Sequence, residues 1–293
     1  MNIQKSFKGE NQEKGTLYLV PTPIGNLEDM TYRAVRVLKE ADVIAAEDTR
    51  NTRKLCHVFE IDTPLISYHE HSRQEKEEEI TGRLHKGESV ALVSDAGMPA
   101  VSDPGQDLVK RCISEQLTVV PLPGANAALS GLVASGLSTD MFTFVGFLNR
   151  KKKVKRETLE SWKKSRETLM FYESPHRISD TLEEMANIFG GSRQAVLCRE
   201  LTKKHEEFLR GTLEELHGYC VSHSLKGEMV ILVDGQSGEQ VDGEEEEQWW
   251  AGLDAADHVK VYIDKGMTSK DAIKKAAKDR NENKREVYKA FHT

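Results

Sequence analysis

Glu173 and His176 in Tyr172-Glu-Ser-Pro-His-Arg177, Glu200 beside Arg199, and His69 in Ser67-Tyr-His-Glu-His71 are the side chains best suited to moving a proton. Each follows a short apolar run that reads as a strand. A carboxylate or imidazole held at a strand end can take the proton of an attacking hydroxyl. Residue type alone leaves the choice among them open.

Three turns could hold what such a base acts on, because ligands of open α/β sheets collect beyond the carboxyl ends of the strands. In Pro21-Thr-Pro-Ile-Gly-Asn26 the prolines stiffen the turn and Gly25 lets backbone approach a ligand. Asp95-Ala-Gly-Met-Pro-Ala-Val-Ser-Asp-Pro-Gly105 is the strongest local signal: two glycines, two prolines and two aspartates within eleven residues. Such a loop is rigid, and its carboxylates can accept hydrogen bonds from ribose hydroxyls. The small-residue helix in Pro123-Gly-Ala-Asn-Ala-Ala-Leu-Ser-Gly-Leu-Val-Ala-Ser-Gly136 leaves its N-terminal N–H groups uncovered, where a carboxylate could bind. Close packing on a sheet would explain the same composition.

Other chemistries lose their support. No GxGxxG follows a strand and no GxxxxGK[ST] occurs, which argues against dinucleotide redox chemistry and nucleotide hydrolysis. No metal-ligand cluster is expected, since His69, Glu70 and His71 are adjacent and point in different directions. Cys56, Cys112, Cys198 and Cys220 form no CxxC pair and read as reduced, buried thiols. A polar start and the lack of any long apolar run predict a cytoplasmic protein with no membrane segment.

The formal net charge of −7 does not suit a protein that coats nucleic acid over its whole surface. Locally the sign reverses. Residues 150–166 hold nine basic side chains against Glu157 and Glu160, a balance of +7, so Arg150, Lys151, Lys152 and Lys153, with Arg177, are candidate RNA contacts.

Positioning these groups requires alternating strands and helices. Leu17–Val20, Val43–Ala46, Leu65–Ser67, Val90–Ser94 and Thr118–Val120 read as strands, with Ala34, Val37, Leu38 and Ala41 at helical spacing and a capping box at Ser72-Arg-Gln-Glu75. A second set of strands follows at Phe142–Phe147, Thr168–Tyr172, Ala195–Cys198, Glu207–Leu209 and Met229–Val233, with helices around 152–164, 176–189 and 212–221. The expected organisation is a flexible tail (1–14), an N-terminal α/β domain (15–122), a second α/β domain (123–235), an acidic linker (236–247) and a helical module (248–293). The domain boundary falls at Pro121-Leu-Pro-Gly124. The module is expected to hold two short helices, one starting at Thr268-Ser-Lys-Asp271.

In this order PTPIGN (21–26), EDTR (47–50), SDAGMPAVSDPG (94–105), PGANAALSGLVASG (123–136), FVGFLNR (144–150), YESPHR (172–177) and KGEMVILV (226–233) resemble the tetrapyrrole methylase superfamily. Within it the chain is most similar to the members that methylate a cytidine ribose 2′-oxygen of 16S rRNA in the small ribosomal subunit. The resemblance implies a homodimer of two-domain α/β subunits with a C-terminal helical module. S-adenosyl-L-methionine, the methyl donor, would lie in the cleft between domains. On the same ground Pro23 and Gly25, the stretch Asp95, Ala96, Gly97 and Met98, Ser102, and Gly124 and Ala125 would contact the donor. Members acting on corrin rings carry a GxGDP-like loop where this chain has Asp95-Ala-Gly-Met-Pro99, so their individual contacts do not transfer directly.

Two other readings use the same residues. A precorrin-type C-methyltransferase would share the fold, and its polycarboxylate substrate would also be drawn to lysines. A noncatalytic ribosome-associated binding protein would use the basic run and the terminal helices without chemistry.

Overall fold

In a computed structural model the described residues are 3–6, 14–69, 73–236, 250, 252–280 and 282–292. Contacts divide the chain into two compact units, Met1–Gln236 and Ser237–Thr293.

The first unit holds both sheets. Strands β1 (Thr16–Leu19), β2 (Val43–Ala46), β3 (Leu65–Ser67), β4 (Val90–Val93) and β5 (Thr118–Pro121) form a wholly parallel sheet in the order β3-β2-β4-β1-β5. Helices α1 (Tyr32–Glu40) and α2 (Thr49–Val58) cover one face through Val37, Leu38 and Cys56, while α3 (Arg73–His85) and α4 (Gln106–Ser114) cover the other through Ile80, Leu84 and Leu108. With both faces covered, β2 and β4 are buried along their whole length, as their uninterrupted apolar sequences require. The Pro121 ring is tolerated because β5 is an edge strand.

In the segment read as a flexible tail, Gln4 is held. Its side-chain amide donates to the Val119 carbonyl at 2.8 Å and accepts from the Val119 N–H at 2.9 Å, satisfying part of the open edge of β5. The capping box at Ser72 lies outside the described residues, as do Glu70 and His71 and most of the acidic linker.

After the turn at Pro123-Gly124 comes α5 (Ala127–Ser135), and β6 (Phe142–Phe147), α6 (Lys152–Ser161), β7 (Thr168–Glu173), α7 (Ile178–Phe189), β8 (Gln194–Arg199), β9 (Glu207–Thr212), α8 (Leu213–Ser222) and β10 (Met229–Val233) complete the unit. The second sheet, β6-β7-β10-β8-β9, is mixed: only β6 and β7 are parallel. Alternate residues of each strand face opposite layers. Leu169, Phe171, Met229, Ile231 and Val233 pack with α6, α7 and α8, whereas Met170, Val230 and Leu232 pack with Ala128 and Leu132 of α5.

The directions matter for the site. Because β10 runs against β7 and β8, Met229 at its start pairs with both Glu173 and Arg199 at their ends. The loops after β6, β7 and β8 and the entry to β10 therefore share one edge of the sheet.

The second unit contains α9 (Ala255–Asp264), α10 (Ser269–Asp279) and α11 (Lys284–His292) around Val259, Ile273, Ala276 and Val287. Among the described residues the expected pair of helices is thus three. The separations are short, and Gly266 with φ 91° breaks the pattern before α10. Thr268 caps α10 as expected, its hydroxyl accepting from the Asp271 N–H at 3.3 Å.

Candidate active site

The turns after β1 and β4 are joined directly. Thr22 and Gly97 exchange backbone hydrogen bonds of 2.9 Å each way, and the Thr22 hydroxyl donates to the Ser94 carbonyl at 3.1 Å. Gly97 has φ 79°, a conformation that favours glycine, and a Cβ there would crowd Cγ2 of Ile24 at 3.2 Å. Gly124 is equally confined: a Cβ would meet Cβ of Pro21 at 2.7 Å, which holds the start of α5 against the β1 turn.

The EDTR segment is tied in from the side. The Asp95 carboxylate accepts from the Asn51 side-chain amide at 3.1 Å and from the Asp48 N–H at 3.3 Å. Asp48 in turn caps α2, and its hydrogen bonds to Arg50 lower its pKa to about 2.

These turns face the shared edge of the second sheet across a cavity of about 480 Å³, a size suited to a nucleoside-like ligand. Its walls are apolar at Ile24, Met98, Leu201 and Val230. Tyr172 adds an aromatic wall, with Phe144 and Phe147 packed edge-on at 4.9 and 5.5 Å. Burial pushes the Tyr172 phenol above its ordinary value. The N-terminus of α5 enters through Asn126 and Ala127.

The charge of the lining is one-sided. Glu47, Asp95, Asp103, Glu173 and Glu228 line the cavity, and no lysine or arginine does among the described residues. Such a wall repels phosphates and polycarboxylates and favours a cation.

The backbone is strained in the β4 loop and after β8, around the lining residues Val101, Ser102 and Leu201. Ala100 and Ser102 in the β4 loop have φ of 65° and 62°, and Glu200 and Thr202 after β8 have 52° and 67°. Left-handed conformations at non-glycine residues persist where surrounding structure enforces them, often at functional sites. Gly146, in the bulge of β6, faces Ser102: a Cβ there would be 3.3 Å from the Ser102 hydroxyl.

Of the residues singled out in the sequence, Asp95, Ala96, Gly97, Met98 and Ser102 line the cavity. Pro23 and Gly25 line an adjoining groove with Asn51 and Lys54, and Asp95 separates the two spaces. Neither Gly124 nor Ala125 is a lining residue; they support the lining from behind.

The proposed proton acceptors are dispersed. Glu173 lines the cavity, but its carboxylate accepts from the Thr181 hydroxyl and the Ser174 N–H, each at 2.8 Å, and lies 3.5 Å from Arg177. His176 is exposed over a separate groove beside His223. Glu200 pairs with Lys203 at 2.9 Å and accepts from the Glu228 N–H at 3.0 Å. His69 is half-buried after β3 and is not a lining residue.

Arg150, Lys151, Lys152 and Lys153 are exposed at the start of α6. Arg177 differs: its guanidinium donates to the carbonyls of Leu148 and Asn149 at 3.0 and 3.3 Å and so braces the loop that carries those bases. Glu47, Asp103, Asn126, Phe147, Tyr172 and Glu228 were not singled out, although all six fall inside the motifs quoted above.

The family described as Tetrapyrrole (Corrin/Porphyrin) Methylases matches residues 16–217, more than half the chain. The chain belongs to the tetrapyrrole methylase family. Among curated members it is 56% identical to a Bacillus subtilis (strain 168) protein named Ribosomal RNA small subunit methyltransferase I, over 99% of this chain and 98% of that one. A Halalkalibacterium halodurans protein of the same name is 53% identical over 100% and 99% of the two chains. In fold the chain is similar to a uroporphyrin-III C-methyltransferase of Thermus thermophilus crystallised with S-adenyl homocysteine, with a TM-score of 0.55 and 19% identity over 76% of this chain and 98% of that one. No helix among the described residues is long and apolar enough to cross a membrane.

Proposed function

We propose that this protein is a cytoplasmic, homodimeric methyltransferase that uses S-adenosyl-L-methionine to methylate a cytidine ribose 2′-oxygen of 16S rRNA. The observation that carries the reading is the near-full-length identity of 56% to a protein named for methylation of small-subunit ribosomal RNA. The family's other substrate class fits less well. A polycarboxylate macrocycle would have to enter a cavity lined by five carboxylates, whereas an RNA need admit only one ribose, its phosphates resting outside against Arg150 and Lys151 to Lys153.

The cavity suits the donor for the same reason. S-adenosylmethionine carries a sulfonium and an ammonium, both attracted by Asp95, Glu47 and their neighbours, and its adenine and thioether carbons match Ile24, Met98, Leu201 and Val230. When bound it supplies an activated methyl group. The chain's own residues align the hydroxyl with that carbon, exclude water and remove a proton. In this reading Asp95 to Met98, Ser102, Asn126 and Ala127 hold the donor, and Pro23, Gly25, Gly124 and Ala125 fix those contacts from behind. The exposed apolar side chains Leu129 and Val133 of α5, with Met141 and Phe142 at the start of β6, offer the homodimer a surface.

The test is incubation with labelled donor and small ribosomal subunits lacking the modification, followed by nuclease mapping and mass spectrometry. Label on a single cytidine ribose supports the reading. Binding of donor product without transfer to any RNA would favour the noncatalytic alternative.

A further inference from the structure

We propose that Lys203 is a positioning residue for the methyl donor: from the turn after β8 it straps the turn after β1 to the entry of β10, and so fixes the spacing of two walls of the cavity. The inference rests on the methyltransferase reading above and names a residue on which donor binding depends, although it is not itself a lining residue.

One side chain reaches three segments. Its stem lies on the backbone of Gly25, where a Cβ would stand 2.3 Å from Cγ and 2.8 Å from Cε of Lys203, so any other residue there would push the stem away. Its ammonium donates to the carboxylates of Glu200 and Glu228, each at 2.9 Å. Glu200 in turn accepts from the Glu228 N–H at 3.0 Å, and its carboxyl carbon would be 2.4 Å from a Cβ on Gly227.

This assembly stands directly behind the lining. Ile24, next to Gly25, lines the cavity from the first sheet, and Leu201, Gly227 and Glu228 line it from the second. Ile24 and Leu201 also share an apolar cluster. Such packing is non-directional, whereas hydrogen bonds to an ion fix an angle and a register. The turn needs holding from outside. Glu200 and Thr202, on either side of Leu201, are left-handed, with φ 52° and 67°. Burial lowers the Lys203 pKa, but the hydrogen bonds to Glu200 and Glu228 outweigh it and raise the group above its ordinary value, so the ammonium stays charged.

Without the strap the two walls sample spacings that do not fit the donor, and apparent affinity falls with the fraction of time the fitting spacing is held. Charge alone acts in the opposite sense. Losing the ammonium uncovers two carboxylates, which would tighten a cationic ligand. The Glu228 side chain is 75% exposed, so water screens that attraction and the loosening sets the sign.

The experiment is calorimetry of S-adenosylhomocysteine on the wild type, Lys203→Met, Lys203→Arg, Gly25→Ala and the Gly25→Ala/Lys203→Met double variant. Thermal melts, and the donor KM and kcat for methyl transfer to unmodified small subunits, accompany it. Lys203→Met keeps the stem and loses the ammonium, while Gly25→Ala keeps the ammonium and displaces the stem. Each is expected to weaken product binding and raise the donor KM by about tenfold. In Lys203→Met kcat should stay within about threefold of wild type, since no reacting atom is touched. Lys203→Arg can still bridge both carboxylates and should bind within about threefold of wild type. Because both changes break one strap, the double variant should lose no more than about threefold beyond the worse single, where independent sites would multiply to about 100-fold. Product affinity of Lys203→Met equal to or tighter than wild type, a loss confined to kcat, or a multiplied loss in the double variant overturns the assignment. If one single variant does not fold, the other decides by the same threshold. A wild-type protein that binds neither donor nor product overturns the donor reading itself; wild-type binding that Lys203→Met matches overturns only the strap.

Discussion

Thr22 and Gly97 are bound to each other through two backbone hydrogen bonds of 2.9 Å, although seventy-five positions separate them. This bridge lies outside the regular strands and sets the spacing of the two turns that form one side of the cavity. Replacing Gly97 by alanine puts a side chain at φ 79° and 3.2 Å from Ile24. The expected cost is about 1–2 kcal/mol of stability. Affinity for S-adenosylhomocysteine should fall at least tenfold, because the loop backbone must shift. Thermal melts and calorimetry together check this, and unchanged affinity would remove the loop from the donor site.

The exposed bases of the α6 start and the braced Arg177 should behave differently. Substituting Lys151, Lys152 and Lys153 with glutamate is expected to lower RNA methylation and flatten its salt dependence by roughly one unit of slope per lost phosphate contact, with product binding intact. Arg177→Ala removes donors to the Leu148 and Asn149 carbonyls, so a lower melting temperature is its expected signature. Unchanged RNA turnover in the triple variant would refute the proposed contact.

Asp103 makes a prediction about stability that needs no substrate. Its pKa is raised in the folded chain above the ordinary 3.8, so the native state holds its proton more tightly than the unfolded state. Stability from this group is full below the unfolded value and is lost as pH rises through the folded one. Asp103→Asn should therefore melt higher than wild type at neutral pH, and the gap should close as pH falls toward about 4. A gap independent of pH would mean that burial does not perturb this carboxyl.

The four cysteines are all buried. Burial pushes Cys112 and Cys198 up to about 12 and Cys220 to about 11. Because the thiolate is the reactive form, disulfide-exchange reagents at mild alkaline pH should react with the native protein at least about 10²-fold more slowly than with the unfolded chain. All four thiols should titrate in denaturant. Rapid reaction of the native protein would place a cysteine at the surface.

Sequence and tertiary structure decided different things here. The alternation of β-branched runs with helical spacing located the strands and most helices to within a few residues, since backbone propensity and burial period are local properties. Proline, glycine and aspartate marked the β4 loop for a local reason as well: few residues tolerate such turns. Strand direction in the second sheet was not local. Only the pairing of β10 against β7 and β8 brings Glu173, Arg199 and Gly227 to one edge. The same holds for the proton acceptors, because Glu173, His176 and Glu200 look alike in sequence and differ only in the partners that folding gives them. Asp103 sits in a quoted motif as one acid of two; what separates it from Asp95 is burial, a property of the assembled cavity and not of any segment.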